Sequence, residues 1–303
     1  IKKALMETVQ SPLIGCYAYI SYARDRYLRK LLEFASPFFE KAYLVSSGTE
    51  ATECVLKLMR MHGRRTGENK RVVLCFEGNW HGRTLGAQQL SGNPLQKTWI
   101  GNLDHDIKHL PFPYPWVVDR ENAVEFLHRS LDQLVAEGVD LTSDVCGIFL
   151  ETFQGWGAIF YPKEFVQEVQ KLSSRHGWVF GFDEMQAGFG RTGKRFGFEH
   201  YDVRPDLIAC GKGMGGGVPL SGVLGRADIL DLPAIGSMSS THSGNPLVCN
   251  VGSAVIDELV SRDLISESSN TGRVMNDFLD QLVVNHPRIL SASFGAGLIS
   301  ALI

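Results

Sequence analysis

Three short apolar runs do most to restrict what this chain can become. Val145-Cys146-Gly147-Ile148-Phe149-Leu150 ends in Glu151, Trp178-Val179-Phe180-Gly181-Phe182 ends in Asp183 and Glu184, and Leu207-Ile208-Ala209-Cys210 ends at Lys212, set between Gly211 and Gly213. Continuous apolarity over four to seven residues with no alternation is the pattern of strands covered on both faces. Between the first two lies a segment with Pro162 at an expected first helical position, Gly177 past the end, and Phe165, Val166, Val169 and Leu172 on one face. Strand, helix, strand and strand in this order predict an α/β fold with a mostly parallel central sheet flanked by helices.

The ends of such strands are where ligands collect, and polar residues cluster there along the chain. Ala42–Val45 reads as a strand that runs into Ser46-Ser47-Gly48-Thr49-Glu50. Ser47 and Glu50 have capping-box spacing. Ala51, Val55, Leu58, Met59 and His62 share the face of the helix that follows, and Gly63 is expected to stop it. Backbone amides at such a helix start suit a phosphate, although most capped helices bind nothing. Arg71–Phe76 reads as a strand leading to Trp80-His81-Gly82-Arg83-Thr84, where an aromatic beside a histidine suits stacking on a planar ring or simply anchors a loop. Residues 1 to about 40 are helical in pattern. Val124, Leu127, Leu131 and Leu134 mark a further amphipathic helix.

Lys212 admits several readings. Gly211, Gly213 and Gly216 match a dinucleotide fingerprint in form, but that motif must open a helix, and Val218-Pro219-Leu220 opens an extended run instead. A phosphate-binding loop of the Walker type needs Ser or Thr after the lysine, where Gly213 stands. An exposed lysine on a loose turn is the plain alternative. A lysine that forms a Schiff base does need partial desolvation and bare backbone around it.

Composition narrows the field. The 303 residues carry a formal net charge of −3, with 44% apolar and 21% charged residues, which gives no electrostatic case for nucleic acid or an anionic membrane. No apolar run approaches a membrane span. The six cysteines, Cys16, Cys54, Cys75, Cys146, Cys210 and Cys249, contain no CxxC pair and read as reduced thiols of a cytoplasmic protein. Asp104, His105, Asp106 and His109 have metal-like spacing but no further ligand cluster, so a solvated polar loop is expected and no metal. Both ends read as the interior of an element, so a longer parent chain is expected.

A phosphate cradle, a stacking aromatic, a buried acid and a lysine are the groups that hold pyridoxal 5'-phosphate, with Asp183 suited to keep the ring nitrogen protonated. The motifs Ser47-Gly48-Thr49-Glu50-Ala51, Trp80-His81-Gly82-Arg83-Thr84, Glu151 with Gln154-Gly155, Asp183–Gly193, Gly211-Lys212-Gly213, and Ser240-Thr241 before Gly244-Asn245-Pro246 extend the case along the chain. Together they resemble the class III aminotransferases, the ornithine, acetylornithine and 4-aminobutyrate group of fold-type I pyridoxal-phosphate enzymes.

The resemblance implies that Lys212 carries the imine and Asp183 pairs with the pyridinium. Ser47, Gly48 and Thr49 would cradle the phosphate. Trp80 and Met185 would cover the two ring faces, and Gln186 would bond the phenolic oxygen. Ser240 and Thr241 would reach the cofactor of a neighbouring subunit, which implies a homodimer with shared active sites. His81 is expected to support the Trp80 loop, and Glu151 is an active-site acid of open role. The same resemblance implies an N-terminal segment over residues 1–25, a large cofactor-binding domain over 26–253, and the start of a small α+β domain over 254–303. It implies transfer of an amino group from an amine or ω-amino acid donor to a 2-oxo acid. Racemases, epimerases and decarboxylases share the motif set, and a non-catalytic or nucleotide-binding α/β protein is the alternative of a different class. One departure stands out: Trp156 occupies a position where the family commonly has a glutamate.

Overall fold

The computed structural model describes residues 1–118, 122–238 and 240–303. The chain begins with helices α1 (Lys2–Val9) and α2 (Tyr22–Phe34), strand β1 (Lys41–Val45), helix α3 (Gly48–Arg64), strand β2 (Val72–Phe76), the short helix α4 (Leu85–Leu90), strand β3 (Ile107–Leu110) and helix α5 (Ala123–Ala136). Strand β4 (Val145–Glu151), the small ribbon β5 (Phe153–Gln154) and β6 (Ile159–Phe160), helix α6 (Lys163–His176), and strands β7 (Val179–Asp183), β8 (Leu207–Cys210) and β9 (Ser221–Gly225) follow. Helices α7 (Ala227–Leu230), α8 (Pro246–Ser261) and α9 (Leu264–Asn285) and strands β10 (Ser293–Ala296) and β11 (Ile299–Leu302) complete it.

Seven strands form one sheet in the order β1-β9-β8-β7-β4-β2-β3. Neighbours from β8 to β3 pair in parallel, and β9 alone runs against both β8 and β1. The expected mostly parallel α/β sheet is therefore observed, and the two-faced burial of its strands explains their sequences. Val72, Leu74 and Phe76 of β2 point into the apolar layer shared with α2, α5 and α6. Val73 and Cys75 point the other way, onto Val55, Leu58 and Met59 of α3. Successive side chains of one strand thus enter opposite layers, and all five side chains of β2 are apolar.

Three local expectations change. Residues 1–40 are not continuously helical: α1 and α2 are separated by an irregular stretch, and Ser21 caps the second helix by accepting from the Arg24 amide. Gly63 does not stop α3, which continues to Arg64. Its value is close approach, since a Cβ there would lie 2.1 Å from the Lys70 carbonyl oxygen and 2.5 Å from Cys146 Cβ. Pro162 sits one position earlier than expected, as the N-cap of α6, while Gly177 ends that helix in the left-handed region as anticipated. Helix α8 runs unbroken across residues 253 and 254, and the chain turns only at Asp263, φ 48°. No helix among the described residues is long and apolar enough to cross a membrane. All six cysteines are free.

Candidate active site

The ends of β1, β2, β4, β7 and β8 bring the predicted polar residues to one edge of the sheet. At the end of β1, Ser47 caps α3 in a complete capping box, and Glu50 Oε2 accepts from the Ser46 and Ser47 amides at 2.8 and 2.7 Å. Those contacts leave Gly48 and Thr49 as the opening residues of the helix, where amides point outward along the positive end of its dipole. Thr49 Oγ1 meets Thr84 Oγ1 at 2.7 Å, and Thr84 donates onward to Glu53. Gly82 makes this approach possible: at φ 136°, a Cβ would sit 2.5 Å from Thr49 Oγ1.

Beside this corner, β4 and β7 place Glu151 and Asp183 in direct register. Both are buried. Asp183 Oδ1 accepts from the Met185 amide at 3.0 Å, and Oδ2 lies 2.9 Å from His81 Nδ1. The His81 ring packs on Phe149 at 4.6 Å, its amide donates to Ser91 Oγ, and among the described residues its Nε2 has no partner. Glu151 Oε2 accepts from the Trp80 amide at 2.7 Å. Burial, and then the charge of Asp183, push the Glu151 carboxyl well above the usual range. Two adjacent buried acids thereby differ: one is held by an imidazole, the other is driven towards its neutral form.

Lys212 follows β8 with φ 45°, a left-handed conformation that costs a non-glycine residue about 1 kcal/mol or more. Gly211 before it is needed for room, because a Cβ would lie 2.5 Å from Met185 Sδ and 2.6 Å from Ser221 Oγ. A Cβ on Gly48 would lie 2.9 Å from the same sulfur. Met185 is thus wedged between the helix-start corner and the lysine turn. Lys212 lines a cavity of about 320 Å³ with Met185, Gln186, Phe189, Arg191 and Leu298. Gln186 also lines a second chamber of about 490 Å³ whose walls include Trp80, Gly155 and Trp156. The site is one continuous neighbourhood with Gln186 at the division.

Ser240 joins it indirectly. Ser243 Oγ donates to Ser240 Oγ at 2.7 Å and lies 3.0 Å from Ser46 Oγ, next to the α3 start. Thr241 is exposed, and no described hydrogen bond engages its side chain. Asp104 and Asp106, read as a polar loop, pair with Arg60 and Arg71 at 2.8 and 2.6 Å.

Two residues acquire parts that their motifs did not disclose. Glu184 is buried and accepts from Thr152 Oγ1 and the Gly197 and Phe198 amides at 2.6–2.8 Å, so it ties the segment after β7 to the site; burial lifts its carboxyl to about 7. Arg191 accepts through its carbonyl from the Leu298 amide at 2.8 Å, and a Cβ on Gly297 would lie 2.4 Å from the Thr192 carbonyl carbon. The glycines flanking Arg191 and Thr192 in sequence were the available signal for so close a contact.

A mostly parallel sheet of this order, with a lysine turn, a buried acid and a helix start at the strand ends, has the fold of the fold-type I pyridoxal-phosphate-dependent transferases. The family model for class-III aminotransferases matches residues 1–302, and the chain belongs to that family. It is 32% identical over 282 residues to an acetylornithine aminotransferase of Brucella melitensis biotype 1, covering 92% of this chain and 65% of the relative. It is 34% identical over 244 residues to a probable 4-aminobutyrate aminotransferase of Bacillus subtilis, covering 78% and 55%. The chain therefore spans about two thirds or less of these relatives. Among solved structures it resembles taurine:2-oxoglutarate aminotransferase from Bifidobacterium kashiwanohense in complex with PLP and glutamate, with TM-score 0.88, 27% identity, and coverage of 99% of this chain and 68% of the other.

Proposed function

We propose that the protein catalyses transamination, passing an amino group from an amine or ω-amino acid to a 2-oxo acid in two ping-pong half-reactions. The carrying observation is Met185, which touches the α3 start and the lysine turn while its own amide is bonded to Asp183. Phosphate site, ring acid and lysine are thereby within one side chain of each other. The residues present fit pyridoxal phosphate. The glycine positions at 48 and 211 leave no space for a Cβ, and the buried Asp183 is a carboxylate of the kind that needs a cationic partner.

Gly48 and Thr49 would hold the phosphate through their amides, and Lys212 would hold the aldehyde carbon through Nζ. Trp80 and Met185 would bound the ring, and Gln186 would face its phenolic oxygen. When bound, the cofactor supplies an electron sink for the carbon that bears the amino group. Asp183, fixed by His81, would hold a proton on the ring nitrogen. Lys212 Nζ would take up and return the proton of the donor carbon. Glu151 orients Trp80 through its amide, and its neutral form avoids a second buried charge beside Asp183.

Ser240 and Thr241 are read as serving the cofactor of a second subunit in a homodimer. The exposed apolar side chains Leu13, Tyr19, Ile20 and Ile235 support that reading. A cytoplasmic location accords with the free thiols. Borohydride trapping of the cofactor-loaded protein followed by peptide mapping tests the assignment. The expected adduct is on Lys212 and is absent from Lys212→Ala; an adduct elsewhere refutes it. Adding amine alone should convert the bound cofactor to its amine form and stop, whereas continued turnover would indicate a racemase.

A further inference from the structure

We infer that the chamber between Trp80 and Trp156 receives an uncharged, ring-bearing end of the amine donor, so that the protein prefers an arylalkyl amine to an ω-amino acid with a distal carboxylate. This rests on the transaminase reading and narrows it. The described residues lining the chamber are glycines, a proline, neutral amides and the two tryptophans, and none carries a charge. A carboxylate moved into such a space loses its hydration and finds no cation to replace it. At about 490 Å³ the chamber has room for a ring with its substituents.

Its outer wall is built from packed rings. Trp156 is 56% exposed and free to be covered. Its ring lies 6.0 Å from Tyr114, which stacks on Trp116 at 4.7 Å with the planes 7° apart. Tyr114 is also close below, since a Cβ on Gly78 would lie 2.8 Å from its hydroxyl. Burial pushes that hydroxyl up, and a hydrogen bond with Trp156 opposes the shift. Two arginines lie nearby, and neither lines the chamber. Arg83 stacks on the Trp80 ring at 4.4 Å, and Arg191 lines the cavity beside Lys212 instead. A carboxylate therefore finds a cation, Arg191, in the wall on the lysine side of Gln186 and none among the described residues that line the chamber on the tryptophan side. Trp156, whose ring forms the exposed wall of the chamber, is the residue that sets this division.

The test uses the cofactor-loaded protein and two unreactive acids that differ at the far end, 3-phenylpropionate and glutarate, titrated calorimetrically. The phenyl acid should bind at least roughly 10-fold more tightly. Trp156→Ala should remove most of that preference by weakening 3-phenylpropionate roughly 10-fold while leaving glutarate within about twofold, and Trp156→Phe should retain it. Equal or tighter binding of glutarate, or a preference unaltered in Trp156→Ala, overturns the inference. In parallel, 1-phenylethylamine should convert the bound cofactor's absorbance more efficiently than 4-aminobutyrate. Faster conversion by 4-aminobutyrate overturns the inference and leaves transamination standing. Failure of both amines, with no borohydride adduct on Lys212, overturns transamination itself, and the acid titration still judges the chamber.

Discussion

Replacing Gly211 by alanine isolates the packing that joins the lysine turn to the rest of the site. The residue has φ −174°, extended backbone that alanine adopts freely, so any effect comes from the added methyl group. That methyl would fall 2.5 Å from Met185 Sδ and 2.6 Å from Ser221 Oγ. The serine hydroxyl can rotate away. The methionine cannot retreat easily, because its sulfur is already 2.9 Å from where a Cβ on Gly48 would stand. Overpacking of this kind costs about 1–3 kcal/mol. Met185→Ala alone should cost about 2 kcal/mol or more through the cavity it leaves. In the double variant the alanine at 211 should add less than about 0.5 kcal/mol, giving a coupling of about 1–2 kcal/mol between neighbours. Urea denaturation of the four proteins, read at constant m, measures it. If Gly211→Ala costs the same in both backgrounds, Met185 is not the wedge and the argument fails.

Asp183→Ala should retain phosphate-dependent cofactor uptake but lose turnover by roughly 100-fold or more; near-normal kcat would contradict the ring-acid role. Gly63→Ala should lower stability by at least about 2 kcal/mol in urea titrations, because its methyl meets a fixed backbone carbonyl at 2.1 Å. His109 is held down to about 4 by burial and by the charge of Lys97, so the folded state keeps it neutral while the unfolded chain protonates it near 6.5. Its contribution is fully present above 6.5 and is lost as pH falls through about 4. The stability gap between the wild type and His109→Gln should therefore shrink by about 2 kcal/mol from pH 7 to pH 4.5, and a gap independent of pH would refute it.

Much of this was legible in the chain because strands covered on both faces cannot tolerate polar residues, so β4, β7 and β8 announce themselves and their polar ends stand out. The Ser47–Glu50 capping box is local and equally readable. What stayed hidden depends on distance in sequence. His81 and Asp183 are 102 residues apart, and nothing near either names the other. Gly63 resembles a helix stop, and only the approach of Lys70 and Cys146 shows why it sits inside the helix. Glu184 looks like a second member of an acid pair, yet it turns to Thr152 and the amides at 197–198, away from the ring acid's neighbour His81. The stretch before Ser21 contains Pro12 and Gly15, which interrupt a helix, and its apolar residues Leu13, Ile14, Tyr17, Tyr19 and Ile20 stay exposed.

The contact of Gly297 with Thr192 has a mechanical consequence. The tip of the β10–β11 ribbon sits so close to the Arg191 strap, with Leu298 hydrogen-bonded to its carbonyl, that neither can slide past the other. Arg191 and Leu298 are at once that joint and the wall of the lysine cavity. A tilt of the ribbon would be handed directly to the space around Lys212, with no slack segment between to absorb it.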